Sequence, residues 1–339
     1  MVQNNKINIT VIGGWSGTFN VLYGLKNTTC NTEKNLAAII AMTDSGGTTG
    51  EIRDKYGVLP AWDIRRWLAA LAEDTKFVRQ FFEYRFEWEE WVIWGNKMWN
   101  IVIWALEKIK WSFNEGLKEA HKMFRVKGKV IPVTLEDVHL GVKFQDGTEI
   151  IWEKNIDVSD KNPWEKTHDT NQNIVDAFLV WWKWIINPEA SETIISSDIV
   201  IIGPWDFYTS IVPNLLSPWM KEALQKTTAE IVYVCNIMAD KWETTTYELP
   251  DFIDNIEKYI WENIIDYVLV NNWDISEDLV KKYRDEEWKR PVKCKTNMCF
   301  SNKNYKIIER DFIDESDYVR HNPVKLSKAI IDIAEGWIK

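Results

Sequence analysis

The chain has 339 residues, 45% hydrophobic and 27% charged, with a formal net charge of −10. A chain of that length buries an ample core without disulfide or metal staples. The acidic balance excludes a nonspecific nucleic-acid binder, which needs a basic face to displace counterions, and no stretch reaches the roughly 18 apolar residues of a membrane span.

Residues 7–14 (INITVIGG) predict a buried strand, because the run is continuous and β-branched. The N-terminus carries no cleavable apolar segment, since this first apolar run leads straight into a glycine turn. The cytoplasm is therefore the expected location. A helix over 18–26 and a second apolar strand over 35–43 complete a βαβ unit, which implies a parallel sheet. A polar, glycine-rich loop follows over 44–63, and loops of that length are usually functional. Helices are expected at 63–73, 75–86, 97–110 and 113–124. Residues 129–155 alternate apolar and polar around an Asp146-Gly147 turn, which predicts an antiparallel hairpin region.

A second α/β run starts near 188. Helix 188–196 precedes strand 198–204, helices near 209–226 precede strand 230–237, and helix 250–262 precedes strand 266–272. Helices at 276–285 and 323–336 close the chain. No linker divides it, so one α/β domain over 1–339 is expected. It would be a Rossmann-like, mostly parallel sheet flanked by helices, with the hairpin elaboration at about 129–155 and a helical end at about 290–339. Loops 13–18, 44–53 and 203–210 should converge on one sheet edge. A homodimer is compatible with this organisation.

The cysteines are Cys30, Cys235, Cys294 and Cys299, with no second Cys or His pair to complete a zinc site; reduced structural thiols are the better reading. His121, His139, His168 and His321 are scattered, with no Ser–His–Asp order and no Cys–His pair.

Tryptophan is anomalous: 21 Trp against 15 Gly, where glycine normally makes up about 7% of residues. Trp15 sits in GGWSGT, Trp62 in LPAWDIRR, Trp205 in GPWDFYTS and Trp242 in ADKWETTT, all turn-like contexts. Trp181, Trp182 and Trp184 crowd one stretch without helix or strand logic. An indole there would block a ligand from the backbone, and positive φ would be costly. Either the protein is truly Trp-rich, or UGA codons read as glycine by the cell have been translated as tryptophan. The positions favour the second reading, and UGG codons would end it.

Three constellations can carry chemistry. The first is Gly13-Gly14-Trp15-Ser16-Gly17-Thr18, where small residues let a phosphate approach the backbone and a helix N-terminus supplies N–H groups. The alternative is a tight turn with no ligand. The absence of a Lys-Ser/Thr ending disfavours a Walker ATPase. The second is Asp44 with Gly46, Gly47, Thr48, Thr49, Gly50 and Arg53. Asp44 suits Mg²⁺, a ribose hydroxyl or a turn cap, and Arg53 suits phosphate or solvent. The third runs from Gly203 to Ser210, where Thr209 and Ser210 either cap a helix or meet phosphate or sugar. Asn236, Asn271 and Asn272 end strands, where amides suit base or sugar recognition and also ordinary turns.

Taken together, VIGGWSGTFNVLYGLK, MTDSGGTTGEIRDKYGVLPAWDIRR, FEYRF, KVIPVTLEDVHL, IVIIGPWDFYTSIVPNLL, VYVCNIM and DYVLVNN resemble the gluconeogenesis-factor (YvcK-like) proteins. They resemble the 2-phospho-lactate transferases (CofD-like) more distantly. These blocks cover most of residues 7–272, in order. The family pattern has glycine where this chain has Trp15, Trp62, Trp99, Trp205, Trp219 and Trp242. The resemblance implies ligand-binding positions at Asp63, Asn96, Lys97, Asn100, Tyr208 and Asn214 beside those above. Relatives show a His where this chain has Asn96, which cannot shuttle a proton near neutral pH. The acidic pair often seen at the second loop is Asp44-Ser45 here, and no second carboxylate is visible beside Asp44. YvcK-like proteins bind UDP-sugars such as UDP-N-acetylglucosamine and are linked to carbon metabolism and cell-wall or cell-shape control. CofD-like enzymes transfer a phospholactyl-type group from a nucleotide diphosphate with Mg²⁺. The resemblance implies a nucleotide or nucleotide-sugar ligand and fixes no cofactor, with Mg²⁺ on Asp44 if the chain is a transferase.

Overall fold

Strands here are runs of β-branched and aliphatic residues, and helices are amphipathic segments opened by polar caps. The structure, a computed structural model, describes residues 6–45, 59, 62–86, 97–156, 172–180, 187–240, 243–293, 304–314 and 318–338. The first half holds β1 (Lys6–Gly13), α1 (Trp15–Asn27), β2 (Glu33–Ile40), α2 (Trp62–Leu71), α3 (Thr75–Glu83), α4 (Met98–Lys110), α5 (Phe113–Met123), β3 (Lys129–Pro132), β4 (His139–Phe144), β5 (Glu149–Ile151), α6 (Glu153–Ile156) and β6 (Ile174–Val180). There follow α7 (Pro188–Ile195), β7 (Ile199–Ile202), α8 (Val212–Leu215), α9 (Pro218–Lys226), β8 (Glu230–Val234), β9 (Met238–Ala239) and α10 (Leu249–Tyr259). The chain ends with β10 (Tyr267–Asn271), α11 (Glu277–Lys282), β11 (Arg290–Pro291), β12 (Lys306–Arg310), β13 (Ile313–Asp314), β14 (Arg320–His321) and α12 (Pro323–Ala334). π-Helical turns at Phe207–Ile211 and Tyr283–Glu287 adjoin α8 and α11.

The central sheet has seven strands in the order β12-β10-β8-β7-β1-β2-β3, and every neighbouring pair is parallel. Side chains alternate between its faces, and both faces are covered. Ile9, Val11, Ala38, Ile201, Val232 and Leu269 join one core, with Leu22, Trp67 and Ile330. Ile12, Ile39, Val200, Ile202, Tyr233 and Val268 join the other, with Ala190, Ala223 and Phe252. Burial on both faces explains why β1, β7 and β10 read as continuous apolar runs. From β1 the chain moves outward through β2 and β3. From β7 it moves the opposite way through β8, β10 and β12. The connections therefore diverge between β1 and β7, where open α/β sheets bind ligands at the carboxyl ends of their strands.

Two expectations need correction. Residues 129–132 are not part of the hairpin region: they form β3, which pairs in parallel with β2, Ile40 opposite Pro132. Its burial is continuous rather than alternating, as a strand covered on both faces requires. The hairpin is β4–β5, turning at Asp146-Gly147 with Gly147 at φ +88°, and β6 adds a third antiparallel strand to β4. Among the described residues of the C-terminal end, from 290 on, the helix is α12. Before it, β12 docks parallel to β10 as the outermost strand. Only Ile308 of β12 is buried, so the segment lacks the apolar run that marks the inner strands.

Candidate functional site

At the switch point β1 ends in Gly13-Gly14 and α1 begins at once. Gly14 is the N-cap, extended at φ −152°, and as a glycine it brings no side chain to cap the helix. The first-turn N–H groups thus lie beside the crevice with no acceptor from the N-cap residue, which makes this helix end suited to an anion. Across the crevice, β7 leads into Gly203 at φ +81° and a cis Gly203–Pro204 bond. The two loops touch: a Cβ on Gly17 would stand 2.2 Å from the Pro204 carbonyl oxygen. Gly17 is therefore required by loop packing. Thr18 is wholly buried beneath the turn.

The β7 loop is held from inside. Asn214 Nδ2 donates to the carbonyls of Gly13 (3.2 Å) and Ser210 (2.8 Å), fastening it to β1. The Tyr208 hydroxyl pairs with that of Tyr247 at 2.7 Å and donates to Asn255. Tyr208 N–H donates to Glu243 Oε2 at 2.7 Å, and the Thr209 hydroxyl donates to Glu243 Oε1. Tyr208, Thr209, Ser210 and Asn214 are all buried. Burial pushes the Glu243 carboxyl well above the ordinary carboxylate range, and the nearby Asp206 and Asp240 charges push it further.

Beside this loop lies a cavity of about 340 Å³, lined among others by Trp205, Asn236, Tyr283, Arg320 and His321. Asn236 clamps Trp205 by both backbone groups, accepting from its N–H (3.1 Å) and donating to its carbonyl (2.8 Å). The Tyr283 hydroxyl accepts from Val319 N–H at 3.0 Å, and Asn20 Nδ2 donates to the His321 carbonyl at 3.2 Å. These bonds bring the segment before α12 over the crevice. His321 is 7% exposed, and its Nε2 has no hydrogen-bond partner among the described residues. Burial lowers its pKa to about 4, against a hydrogen bond with the Cys235 backbone that raises it. The ring is neutral at pH 7. A proton on the nitrogen facing the Cys235 carbonyl leaves Nε2 as an acceptor. Tyr283, Arg320 and His321 were not among the sequence-predicted positions.

At the second loop Thr43 and Ser45 are buried and Asp44 is half-buried. Ser45 N–H donates to Glu153 Oε2 at 3.1 Å. A second carboxylate, from α6, thus reaches the residue next to Asp44, which corrects the expectation that none does. Gly46, Gly47, Thr48, Thr49, Gly50, Arg53 and Asn96 lie outside the described residues. So do Trp242 and the cluster Trp181, Trp182 and Trp184. Asp63 and Trp15 lie in the first turns of α2 and α1. Asn100 is buried in α4. Lys97 is 9% exposed and its Nζ lies 2.6 Å from Glu83 Oε2, while Arg65 Nη2 lies 3.1 Å from Glu83 Oε1. Burial opposes ionisation of Glu83, but Lys97, Arg65 and Arg66 together hold its pKa below the ordinary value. Loops 13–18, 43–45 and 203–210 all leave the carboxyl edge of the parallel sheet. Among the described residues no group of three or more His, Cys, Asp or Glu can hold a metal ion.

The family model described as 2-phospho-L-lactate transferase CofD matches residues 9–313. A relative from Aquifex aeolicus is 34% identical over 332 residues, 98% of each chain. The gluconeogenesis factor of Bacillus subtilis is 30% identical over 331 residues, 98% of this chain and 99% of its own. A crystal structure of a UPF0052-family protein from Bacillus halodurans superposes with a TM-score of 0.85 at 31% identity, covering 96% of this chain and 99% of that one.

Proposed function

Because the chain belongs to the gluconeogenesis-factor branch of the CofD family, we propose that it binds a nucleotide sugar of the UDP-N-acetylglucosamine kind and acts as a regulator of carbon metabolism and cell-wall or cell-shape control. The observation that carries the reading is the pairing of a glycine-capped helix N-terminus with a roomy cavity of mixed polar and apolar lining at the sheet's switch point. A diphosphate would lie against the N–H groups of α1 and the Arg320 guanidinium. The remainder of the ligand would occupy the 340 Å³ cavity, a volume in the range of small-molecule sites. There the His321 ring forms part of the wall, so a change at that position would reshape the space a sugar or base fills. The reading takes the protein to work in the cytoplasm; among the described residues no helix is long and apolar enough to cross a membrane. Titration of UDP-N-acetylglucosamine into the wild type, Arg320→Gln and His321→Ala tests it. Affinity should fall at least tenfold in each variant, and unchanged affinity in both would overturn the assignment.

One observation favours the second reading, a Mg²⁺-dependent transferase acting from a nucleotide diphosphate. Glu153 stands at Ser45 beside Asp44, and carboxylate oxygens are the donors Mg²⁺ prefers. Asp44 and Glu153 would be its protein ligands, and the ion would neutralise phosphate charge. Glu153 is partly committed to the Ser45 N–H, and the helix that presents it is a single turn, so the binding reading stands first.

We further propose that glycine is the working residue at several tryptophan positions. Among the described residues six non-glycines have positive φ, and four are Trp111, Trp152, Trp205 and Trp288. Trp111 (φ 57°) follows α4 and Trp288 (φ 55°) follows the Tyr283–Glu287 turn, both left-handed. That post-helical position is where glycine is most favoured. Trp67 and Trp99 differ: both are wholly buried without positive φ, and the Trp99 ring lies 4.7 Å from that of Phe82. Trp205 lines the cavity, so glycine there would widen it. The mass of the protein from its native cells tests this: a chain lighter than the written sequence supports it, and full agreement with 21 Trp overturns it.

A further inference from the structure

The amino edge of the central sheet, opposite the crevice, carries a groove in two parts. One, of about 370 Å³, is lined by Lys26, Thr28, Thr29, Lys34 and Lys127, among others. The other, of about 680 Å³, is lined by Asn8, Asn35, Lys129, Thr193 and Ser196, among others. Glu33, Lys34, Leu36 and Lys127 line both, so the two adjoin. The first part holds more positive charge than its carboxylates balance. Lys26 Nζ donates to the Ala72 carbonyl at 2.7 Å and the Thr75 hydroxyl at 2.6 Å, and Lys34 Nζ donates to the Thr28 carbonyl. All three acceptors are uncharged. Thr28 caps the C-terminal end of α1 and Ala72 follows α2, and such ends carry only about half a negative charge. Each ammonium has three donors, so Lys26 and Lys34 keep N–H groups for a further acceptor. Lys127 Nζ reaches Glu73 at 4.0 Å, a carboxylate that Arg125 also meets at 3.4 Å. Glu33 is paired with Lys6 at 2.7 Å, and Lys129 with Glu189 at 3.1 Å. Burial and the Lys127 charge lower the Lys26 pKa to about 8, as expected of an ammonium with no anion against it.

We propose that this groove is a second ligand site, which takes a sugar phosphate, with the phosphate on Lys26, Lys34 and Lys127 and the sugar hydroxyls over Asn35, Thr193 and Ser196. Ammonium groups hold a phosphate as point charges. The larger part offers neutral partners suited to hydroxyls. The Thr193 and Ser196 hydroxyls donate to the Glu189 and Glu192 carbonyls at 2.7 and 2.8 Å, and both keep lone pairs with which to accept. Among the described residues no aromatic side chain lines either part, so a nucleobase would find no ring to stack on. The site lies at the far end of α1 from the glycine turn, and the proposal does not rest on the nucleotide-sugar reading of the crevice.

The test is calorimetric titration of the whole protein with glucose-6-phosphate at constant ionic strength, beside glucose and inorganic phosphate. Lys127→Gln is the first variant, because Lys127 is exposed and its loss leaves the packing intact. Lys34→Gln is the second, and Lys118→Gln, on the surface of α5, is the control. The sugar phosphate should bind more tightly than phosphate, and glucose should not bind measurably. Each groove variant should weaken the sugar phosphate at least tenfold while melting as wild type, and the control should bind normally. Wild-type affinity should also fall about tenfold between pH 7 and pH 9, as Lys26 loses its proton, and Lys26→Met should remove that decline. No binding by the wild type, full affinity in both groove variants, or equal affinity for phosphate and the sugar phosphate would overturn the site. A further arm adds UDP-N-acetylglucosamine at saturation. The sugar phosphate should still bind, because the two ligands would lie at opposite edges of the sheet, and competition would overturn a separate site. A protein that takes the sugar phosphate in the groove but no nucleotide sugar would sink the functional reading and leave this one standing.

Discussion

Replacing Trp111 by glycine should stabilise the protein, and replacing it by alanine should not. Trp111 sits at φ 57°, ψ 20°, immediately after α4. A residue with a Cβ pays roughly 1–2 kcal/mol in that left-handed region. The indole is 92% exposed, so its removal forfeits only about 20 Å² of burial, or roughly 0.5 kcal/mol. The balance for Trp111→Gly is a gain of about 1 kcal/mol. Trp111→Ala loses the same burial and keeps the Cβ, so it should fall about 0.5 kcal/mol below wild type. Glycine should therefore exceed alanine by about 1–2 kcal/mol, whereas in a helix interior alanine wins by about 1 kcal/mol. Urea unfolding of the three proteins measures this directly, since single-residue changes of this size move the midpoint with an unchanged slope. An alanine variant as stable as the glycine variant, or more so, would refute the claim that this backbone position calls for glycine. Trp288→Gly is a harder case: that side chain is 47% exposed, and the lost burial offsets the relieved strain.

His321 gives a pH signature: its pKa is about 4 in the fold and about 6.5 when unfolded, so its contribution is complete above pH 6.5 and is lost as pH falls towards 4. The gap is worth about 3 kcal/mol, and His321→Gln should flatten the stability profile across that window; parallel profiles would refute the assignment. Glu243 has the opposite sign, because a carboxyl raised by burial contributes below its unfolded pKa and loses that contribution as pH climbs through the folded one. Glu243→Gln should remove that decline. Glu243→Ala should cost about 2–4 kcal/mol by stranding the buried Tyr208 N–H and Thr209 hydroxyl, as denaturant titration will show. Gly17→Ala places a carbon 2.2 Å from the Pro204 carbonyl oxygen; it should destabilise by about 1–3 kcal/mol and abolish nucleotide-sugar binding, and a variant that folds and binds normally would contradict the loop-packing argument.

The inner strands were legible because burial on both faces writes itself as an unbroken apolar run, as in ITVIG of β1 and IVII of β7. The outer strands were not. In β12 one buried residue, Ile308, stands among charged neighbours, and β3 has only four residues close to a true hairpin. The glycine turn was visible for a related reason, since backbone approach demands small residues. Tyr283, Arg320 and His321 were not visible, because no local pattern says that the segment before α12 folds back over the crevice. Its contact with Asn20 spans 301 residues of sequence. The polar residues after β7 misled in the opposite direction. Thr209 and Ser210 offered hydroxyls to a ligand in the sequence and the resemblance added Tyr208, whereas Tyr208 and Thr209 direct theirs to Tyr247, Asn255 and Glu243 inside the fold. Glu153 was hidden by distance as well, 108 residues from the Ser45 it meets.

The central claim is that the crevice between β1 and β7 binds a nucleotide sugar rather than running a metal-dependent transfer. Calorimetric titration of the Trp15→Gly/Trp205→Gly chain with UDP-N-acetylglucosamine and with GDP, each with and without Mg²⁺ and each repeated in Asp44→Asn, tests it most directly. The account predicts UDP-sugar binding that ignores Mg²⁺ and survives the Asp44 change; GDP binding that requires Mg²⁺ and is lost in Asp44→Asn would contradict it.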